Sequence, residues 1–177
     1  LVEAGSDLSN GGGAFPFIIT SGFSGFDTPS TFLKANKALS ARVAMYQGNA
    51  SETLSFLTQS FFTLSGTDLN TGIYHNFSAD ANDLLNPMFF NIEGLTTAGA
   101  RIVQPLFVPD AETGDTRLEK VVQLDAPITL DGLTNDYAVY RYQSNTEAIP
   151  IIRNEELILL YAEANITVNP GDAINAL

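Results

Sequence analysis

Hydrophobic residues in the first third of the chain recur every three to four positions, which is the spacing of a helix that buries one face. In the first such stretch these residues are Phe32, Leu39, Val43 and Tyr46. In the second they are Leu54, Leu57 and Phe61. We predict helices over residues 31–47 and 51–64. Because about four residues join them, these helices should pack as an antiparallel hairpin.

A third pattern of this kind follows Pro150, towards the end of the sequence. Its apolar face carries Leu157, Leu160, Tyr161 and Ala164. We therefore predict a helix from residue 154 and a further helix, which the sequence cuts short at residue 177, from Pro170. Four apolar side chains should be mainly buried between the helices. They are Leu39, Val43, Leu157 and Tyr161.

The segments between these helices have a different character. Residues 67–100 are rich in Asn and Asp and show no sustained period, so they should form long irregular loops. The runs at residues 101–108, 116–124 and 137–143 are typical of strands, because proline and glycine separate them, and should form only small pieces of sheet. Near the beginning, residues 7–13 should be a loop and residues 14–20 a buried extended segment.

Together these elements predict a mostly α fold, in which helix hairpins are joined by long irregular loops and small β pieces. The first hairpin, at residues 31–64, has the length of about 34 residues that is typical of tetratricopeptide repeats. The helices from residue 154 share little identity with it, so a repeat does not follow from the sequence alone. We expect residues 1–177 to form a single partial domain.

Composition and charge restrict the possible functions. The chain has 177 residues, a formal net charge of −12 and no cysteine. The absence of cysteine excludes thiol catalysis, disulfides and cysteine-ligated metal centres. An acidic chain without a basic stripe is a poor partner for nucleic acid or anionic lipid, and no apolar run reaches the roughly 20 residues that cross a bilayer. The first residue, Leu1, and the uncapped apolar rhythm at the end predict a fragment cut at both ends.

The string IPIIRNEELILLYAEAN at residues 149–165 resembles the signature of the SusD/RagB family, IPxIRxxExxLxYAEA. Four further strings occur in the order expected for that family. They are KALSARVAMYQGN at residues 37–49, GIYHNFSADANDLLNP at residues 72–87, DTRLE at residues 115–119, and YAVYRY before the signature. The resemblance covers most of the chain from about residue 34 onward.

The resemblance implies a fold, a function and a location. Family members are surface lipoproteins of the outer membrane of Bacteroidetes, built on tetratricopeptide-like helix pairs. By resemblance, this protein is expected to bind an oligosaccharide, polysaccharide or other nutrient without catalysis and to deliver it to a SusC-like TonB-dependent transporter. Its contact with the membrane would be made only through an N-terminal lipid, which this sequence lacks. The resemblance also places Arg153, Glu156 and Glu163 in the signature, where we expect structural ion pairs.

Candidate catalytic groups are few. His75 is the only histidine, so a Ser-His-Asp triad has one possible base and a two-histidine metal site cannot form. The acidic pairs Asp80 with Asp83 and Asp110 with Asp115 lie in polar segments, where nothing should raise a carboxyl pKa for glycoside hydrolysis. We therefore predict no enzyme activity, no cofactor and no metal site. Oxygen donors for calcium do occur in the chain, without the complete pattern of a calcium loop. They are Asp68, Asn70, Asp80, Asn82 and Asp83.

Sugar binding requires aromatic faces together with amide and carboxylate groups that hydrogen-bond to hydroxyls. Both occur within residues 74–83, and the predicted ligand-binding residues are Tyr74, His75, Asn76, Asn82 and Asp83. For each of the phenylalanines of this region, Phe77, Phe89 and Phe90, we expect a role as a loop anchor in the core rather than as a sugar contact. An alternative function for the whole chain is a tetratricopeptide-like scaffold for protein interaction.

Overall fold

The computed structural model describes residues 1–92 and 101–177. The chain divides into two compact units. Unit 1 consists of residues 1–76 and 148–177, and unit 2 of residues 77–147. Within the described ranges, no helix combines the length and the apolar character needed to cross a bilayer.

Unit 1 contains the α-helices and a two-stranded antiparallel sheet. The helices are α1 (Val2–Ser9), α2 (Pro29–Tyr46), α3 (Ala50–Gln59), α4 (Asn154–Val168) and α5 (Pro170–Asn175). The sheet pairs β1 (Gly72–His75) with β4 (Ile149–Arg153). A short 3-10 helix, Ser21–Phe23, lies against β1.

Unit 2 is built around a hairpin of two longer strands, β2 (Val121–Leu130) and β3 (Leu133–Val139). A 3-10 helix, Thr116–Lys120, leads directly into β2. The pairing runs from Val121 opposite Val139 to Leu130 opposite Leu133, with an irregular stretch between Gln123 and Ile128.

The beginning of α2 is fixed by a capping box. The Thr28 hydroxyl accepts a hydrogen bond from the Thr31 backbone N–H, while the Thr31 hydroxyl accepts one from the Thr28 N–H. Pro29 occupies the first turn, where its missing N–H leaves no partner unsatisfied. After Gly48, which has a φ of +75°, the Asn49 side chain caps α3 by accepting from Glu52 N–H. The sequence therefore stops one helix and starts the next within a few residues.

The core of unit 1 lies where α2, α3 and α4 meet the β1–β4 sheet. Its buried members are Phe26, Ala35, Ala38, Ala41, Leu57, Ile73, Ile152, Leu157 and Leu160. The face of α2 that enters this core is therefore largely alanine. Small side chains allow the helix axes to approach closely, so burial here depends more on fit than on side-chain size.

The prediction that α2 buries its large apolar residues is wrong in part. Val43 is 43% exposed and Tyr46 is 80% exposed, because Ala38 and Ala41 occupy the buried face instead. Leu157 is fully buried, as expected, while Leu39 and Tyr161 are half-buried against the core. Large side chains dominate a periodicity search, and a stripe of alanines is easily overlooked.

The prediction of a mostly α fold with tetratricopeptide-like hairpins is also wrong. Helices make up 38% of the structure and strands 16%, and the strands form two small antiparallel sheets. Although α2 and α3 form a hairpin, α3 ends at Gln59, five residues before the predicted end. The described residues between α3 and α4 contain no α-helix. That part of the chain is rich in β-branched residues and turn formers, which favour strands and loops.

The strand-like runs lie differently from the prediction. Residues 101–108 form turns, with a single bridge between Ile102 and Ala138. Residues 116–120 form a 3-10 helix before β2 begins, and β3 ends at Val139 rather than at residue 143. The predicted loop at residues 67–100 contains β1, and its residues 93–100 lie outside the described part of the chain.

The beginning of the chain also differs. Residues 2–9 form α1, so the predicted loop at residues 7–13 begins only after Ser9. The predicted buried segment at residues 14–20 is neither strand nor core, since Phe17 is 63% exposed and Ile18 is 99% exposed. The segment is held instead by the ring of Phe15, which packs edge-on against Phe32 with 5.9 Å between ring centroids.

Candidate functional site

The five predicted ligand-binding residues fall into different units. Tyr74 and His75 end strand β1 and Asn76 follows it, all within unit 1. Asn82 and Asp83 are exposed loop residues of unit 2, where Asn82 has a φ of +74°. The structure thus places Tyr74 and Asn76 in unit 1 and places Asn82 and Asp83 in unit 2.

Tyr74 and Asn76 line a cleft of 390 Å³ in unit 1, which we call the Tyr74 cleft. One wall is the segment around the 3-10 helix, and the other is β1 with the residues that precede it. The lining residues are Ser21, Gly22, Ser24, Gly25, Phe26, Asn70, Thr71, Gly72, Tyr74 and Asn76. His75 is exposed and does not line the cleft.

Two glycines of the lining lie in close contact with neighbouring backbone, Gly22 with the opposite wall and Gly72 with strand β4. A Cβ at Gly22 would lie 2.1 Å from the Tyr74 carbonyl oxygen, and a Cβ at Gly72 would lie 2.2 Å from the Ile152 carbonyl oxygen. Either distance is far inside van der Waals contact, so any side chain would push the backbone apart. Gly22 therefore permits the close approach of the two walls, and Gly72 permits the pairing of β1 with β4 behind one of them.

Hydrogen bonds hold the polar side chains of the cleft in place. Asn76 Nδ2 donates to Ser21 Oγ over 2.8 Å and so joins the two walls. The Tyr74 hydroxyl donates to the Asn70 carbonyl oxygen, which fixes the direction of the ring. Arg153 Nη1 donates to Asn70 Oδ1 over 3.1 Å and orients the Asn70 amide. The cleft is therefore organised before any ligand enters.

Sequence reasoning missed Ser21 and Asn70 as members of this site. Ser21 is 55 positions away from Asn76 along the chain, and no local pattern connects them. The available signal was the spacing of Gly22 and Gly25 around Phe23, which marks a tightly packed turn rather than a flexible one.

The signature residues have structural roles in unit 1. Glu156 pairs with the Arg42 guanidinium through two hydrogen bonds, of 2.5 Å from Nε and 2.6 Å from Nη2. Arg42 Nη2 also donates to the Ile151 carbonyl oxygen over 2.7 Å. The hydrogen bond to Glu156 raises the pKa of Arg42 above its ordinary value. This pair ties α2 to both β4 and α4.

The other two signature residues, Arg153 and Glu163, differ in their contacts. Arg153 forms an ion pair with Glu155, and Glu163 is an exposed residue of α4. Neither residue lines the Tyr74 cleft. Arg153 and Glu156 thus form the expected ion pairs, with Glu155 and Arg42, whereas none of the described ion pairs includes Glu163.

The DTRLE string is a helix cap in unit 2. The Asp115 carboxylate accepts a hydrogen bond of 2.9 Å from Arg117 N–H and pairs with the Arg117 guanidinium over 2.6 Å. These hydrogen bonds lower the pKa of Asp115 to about 2. A carboxyl group with so low a pKa stays ionised near neutral pH, so Asp115 is unsuited to serve as the proton donor of a glycosidase.

Metal binding finds no support in the part of the chain that the structure describes. Residues 1–92 and 101–177 contain no group of three or more His, Cys, Asp or Glu side chains placed to hold a metal ion. The oxygen donors considered for calcium are divided between the units, with Asp68 and Asn70 in unit 1 and the other three in unit 2.

Comparison with known proteins identifies no family model that matches this chain, and no curated protein or solved structure that is significantly similar to it. The SusD/RagB resemblance therefore stays a prediction based on the signature at residues 149–165.

Proposed function

We propose that this protein is a non-catalytic binding protein that holds a carbohydrate ligand in the Tyr74 cleft. The observation that carries the proposal is the composition of the cleft. An aromatic ring, two side-chain amides and several hydroxyls converge on one concave surface. Sugars are recognised by this combination, because their ring faces stack on aromatic side chains while their hydroxyls hydrogen-bond to polar groups.

The size and preparation of the cleft support the same proposal. A volume of 390 Å³ lies towards the lower end of the range of about 300–1,000 Å³ seen for small-molecule sites. The hydrogen bonds from Tyr74 to Asn70 and from Asn76 to Ser21 order these side chains in advance. A ligand would therefore lose less binding free energy to side-chain ordering.

The non-catalytic part of the proposal rests on the same lining. General acid–base catalysis needs a titratable group within hydrogen-bond reach of the reacting atoms. Among the ten lining residues only Tyr74 carries such a group, and its hydroxyl proton is directed at the Asn70 carbonyl oxygen. The described lining contains no carboxyl pair for glycoside hydrolysis.

Delivery of the ligand to a TonB-dependent transporter at the bacterial outer membrane is a further part of the proposal. It rests only on the resemblance to the SusD/RagB family, which residues 149–165 and the four further strings carry. The alternative function, a tetratricopeptide-like scaffold, depended on a mostly helical fold, which the structure does not have. It is therefore not proposed.

Replacement of Tyr74 by alanine tests the proposed site. Loss of the stacking ring and of its contact area should weaken glycan binding about five- to tenfold, because a stacked aromatic contributes about 1 kcal/mol beyond area burial. Isothermal titration calorimetry should follow a glycan-array screen that selects a binding oligosaccharide. Asn76→Ala should also weaken binding, because it removes an amide and releases Ser21.

Tyr46 supplies a matched control, since it is 80% exposed on α2 and does not line the cleft. Tyr46→Ala should leave glycan affinity unchanged. Equal affinity of the wild type, Tyr74→Ala and Asn76→Ala would contradict the assignment of the site. Hydrolysis of the bound oligosaccharide by the wild type would contradict the non-catalytic part.

A further inference from the structure

We infer that the Tyr74 cleft selects uncharged sugars and rejects sugars that carry carboxylate, sulfate or phosphate groups. This inference rests on the proposed function and narrows it to a chemical class of ligand. It follows from three observations: the residues that line the cleft, the ion pair of Arg153 beside Asn70, and the net charge of unit 1.

The ten lining residues that the structure describes include no Lys, Arg or His. Their side chains are hydroxyls, amides, a phenol and a phenylalanine ring, and the remaining positions are glycines. Proteins that recognise carboxylate, sulfate or phosphate groups place Arg or Lys against them, because charge-assisted hydrogen bonds replace the lost hydration. An anionic substituent entering this cleft would lose water without gaining such a partner.

Among the described residues, the cation that contacts the lining is Arg153, and it is already engaged. Arg153 donates to Asn70 Oδ1 over 3.1 Å and forms an ion pair with Glu155. The charge of Arg153 is therefore balanced by the carboxylate of Glu155. Arg153 positions an amide for a neutral hydroxyl group and supplies no free positive charge to an anionic ligand.

The unit that contains the cleft carries a net negative charge. Asp27 directly follows the lining residue Phe26, and Asp68 stands two positions before Asn70. Residues 1–76 and 148–177 together contain nine Asp and Glu residues and four Lys and Arg residues. The resulting negative potential should slow the approach of anionic ligands and weaken their binding, most strongly at low ionic strength.

Matched pairs of glycans test this inference. The probes are dextran oligosaccharides against their sulfated derivatives, fully methyl-esterified oligogalacturonides against the free acids, and xylo-oligosaccharides against the same chains bearing glucuronic acid. Wherever the neutral member binds the wild type, the acidic member should bind at least about tenfold more weakly in calorimetry at low salt. The difference should shrink as salt is added.

A charge inserted into the cleft provides the complementary variant. Ser24 is an exposed lining residue, so Ser24→Lys should strengthen binding of the acidic member several-fold relative to the neutral member of the same pair. Gln47→Lys is the matched control, because Gln47 is an exposed residue at the end of α2, outside the lining, and the net charge changes equally.

The outcomes separate this inference from the proposed function. Weaker binding of acidic members, restored by Ser24→Lys and not by Gln47→Lys, supports it. Equal or tighter binding of acidic members by the wild type overturns the inference while the proposed function stands. An equal gain from both lysine variants also overturns it, because long-range charge rather than the cleft would then decide. Binding of neither member of any pair overturns the proposed function and the inference together.

Discussion

At the scale of single residues, Asn154 shows how one side chain connects distant parts of unit 1. Its Oδ1 accepts from Thr63 N–H over 2.9 Å, and its Nδ2 donates to the Thr63 carbonyl oxygen over 2.8 Å. The Asn154 backbone N–H also donates to the Thr71 carbonyl oxygen over 2.8 Å. The fully buried Asn154 amide thus satisfies both backbone polar groups of Thr63, which belongs to no strand.

Asn154→Ala should lower the free energy of unfolding by about 2–3 kcal/mol, because both polar groups of Thr63 lose their partner. Chemical denaturation monitored by circular dichroism measures this loss. Asn165 is the matched control, since it is also buried and donates within its own helix to the Tyr161 carbonyl oxygen. Asn165→Ala should cost about 1 kcal/mol. Equal losses for the two variants would contradict the special role of Asn154.

At the scale of elements, the turn of the β2–β3 hairpin is set by two residues, Asp131 and Gly132. Their φ angles are +49° and +82°. Two consecutive positive φ angles are typical of a tight two-residue turn whose twist matches the strands it joins, and Asp-Gly is among its preferred sequences. This Asp-Gly pair is a clear sequence signal for a hairpin. The sequence prediction uses glycine only as a break between strand-like runs and therefore does not include the hairpin.

Gly132→Ala should destabilise the hairpin by about 1–2 kcal/mol, because an L side chain is strained at a positive φ. Amide hydrogen exchange of β2 and β3 gives the local measure. Gly66 offers a control, since a Cβ there meets nothing within 4 Å and its φ is outside the positive range. Gly66→Ala should leave exchange in the hairpin unchanged. Unchanged exchange in Gly132→Ala would show that the strands, and not the turn, hold the register.

The elements also show where sequence reasoning succeeds and where it stops. The helices α2 and α4 lie where local patterns place them, because capping residues and apolar spacing act within a few positions. Strands β1 and β4 pair Ile73 with Ile152, which lie 79 positions apart in the sequence, and no local pattern encodes that contact. The fold class was wrong for this reason.

The site follows the same division. Tyr74 and Asn76 were found because aromatic and amide residues cluster locally in the sequence. Ser21 and Asn70 were missed because their place in the cleft depends on how the first segment lies against β1. Asn82 and Asp83 belong to the same polar stretch of sequence as Asn76, yet they lie in the other unit. Composition therefore selects the chemistry, and tertiary contacts select the residues.

At the scale of the whole molecule, charge is the dominant feature. The sequence has 20 acidic and 8 basic side chains, so twelve negative charges remain even if every Lys and Arg is paired. The described ion pairs are Arg42–Glu156, Arg117–Asp115, Arg141–Glu147 and Arg153–Glu155. All of them are partly exposed, and pairs of this kind contribute about 0–1 kcal/mol each. The repulsion among the surplus acids should outweigh what salt removes from these pairs.

Added salt should therefore stabilise this protein. Screening weakens the long-range repulsion between surplus carboxylates more than the short-range attraction within pairs, since the screening length falls to about 10 Å at 0.1 M salt. We expect the melting temperature to rise by about 2–5 °C between 10 mM and 300 mM NaCl, as measured by differential scanning calorimetry. KCl at the same ionic strength should act equally, which separates screening from binding of a particular cation.

Neutralising exposed acids, as in a Glu119→Gln and Asp125→Asn double variant, should raise the melting temperature at low salt and reduce its dependence on salt. A melting temperature that falls with added NaCl would show that the ion pairs, and not the net charge, govern the electrostatic contribution to stability.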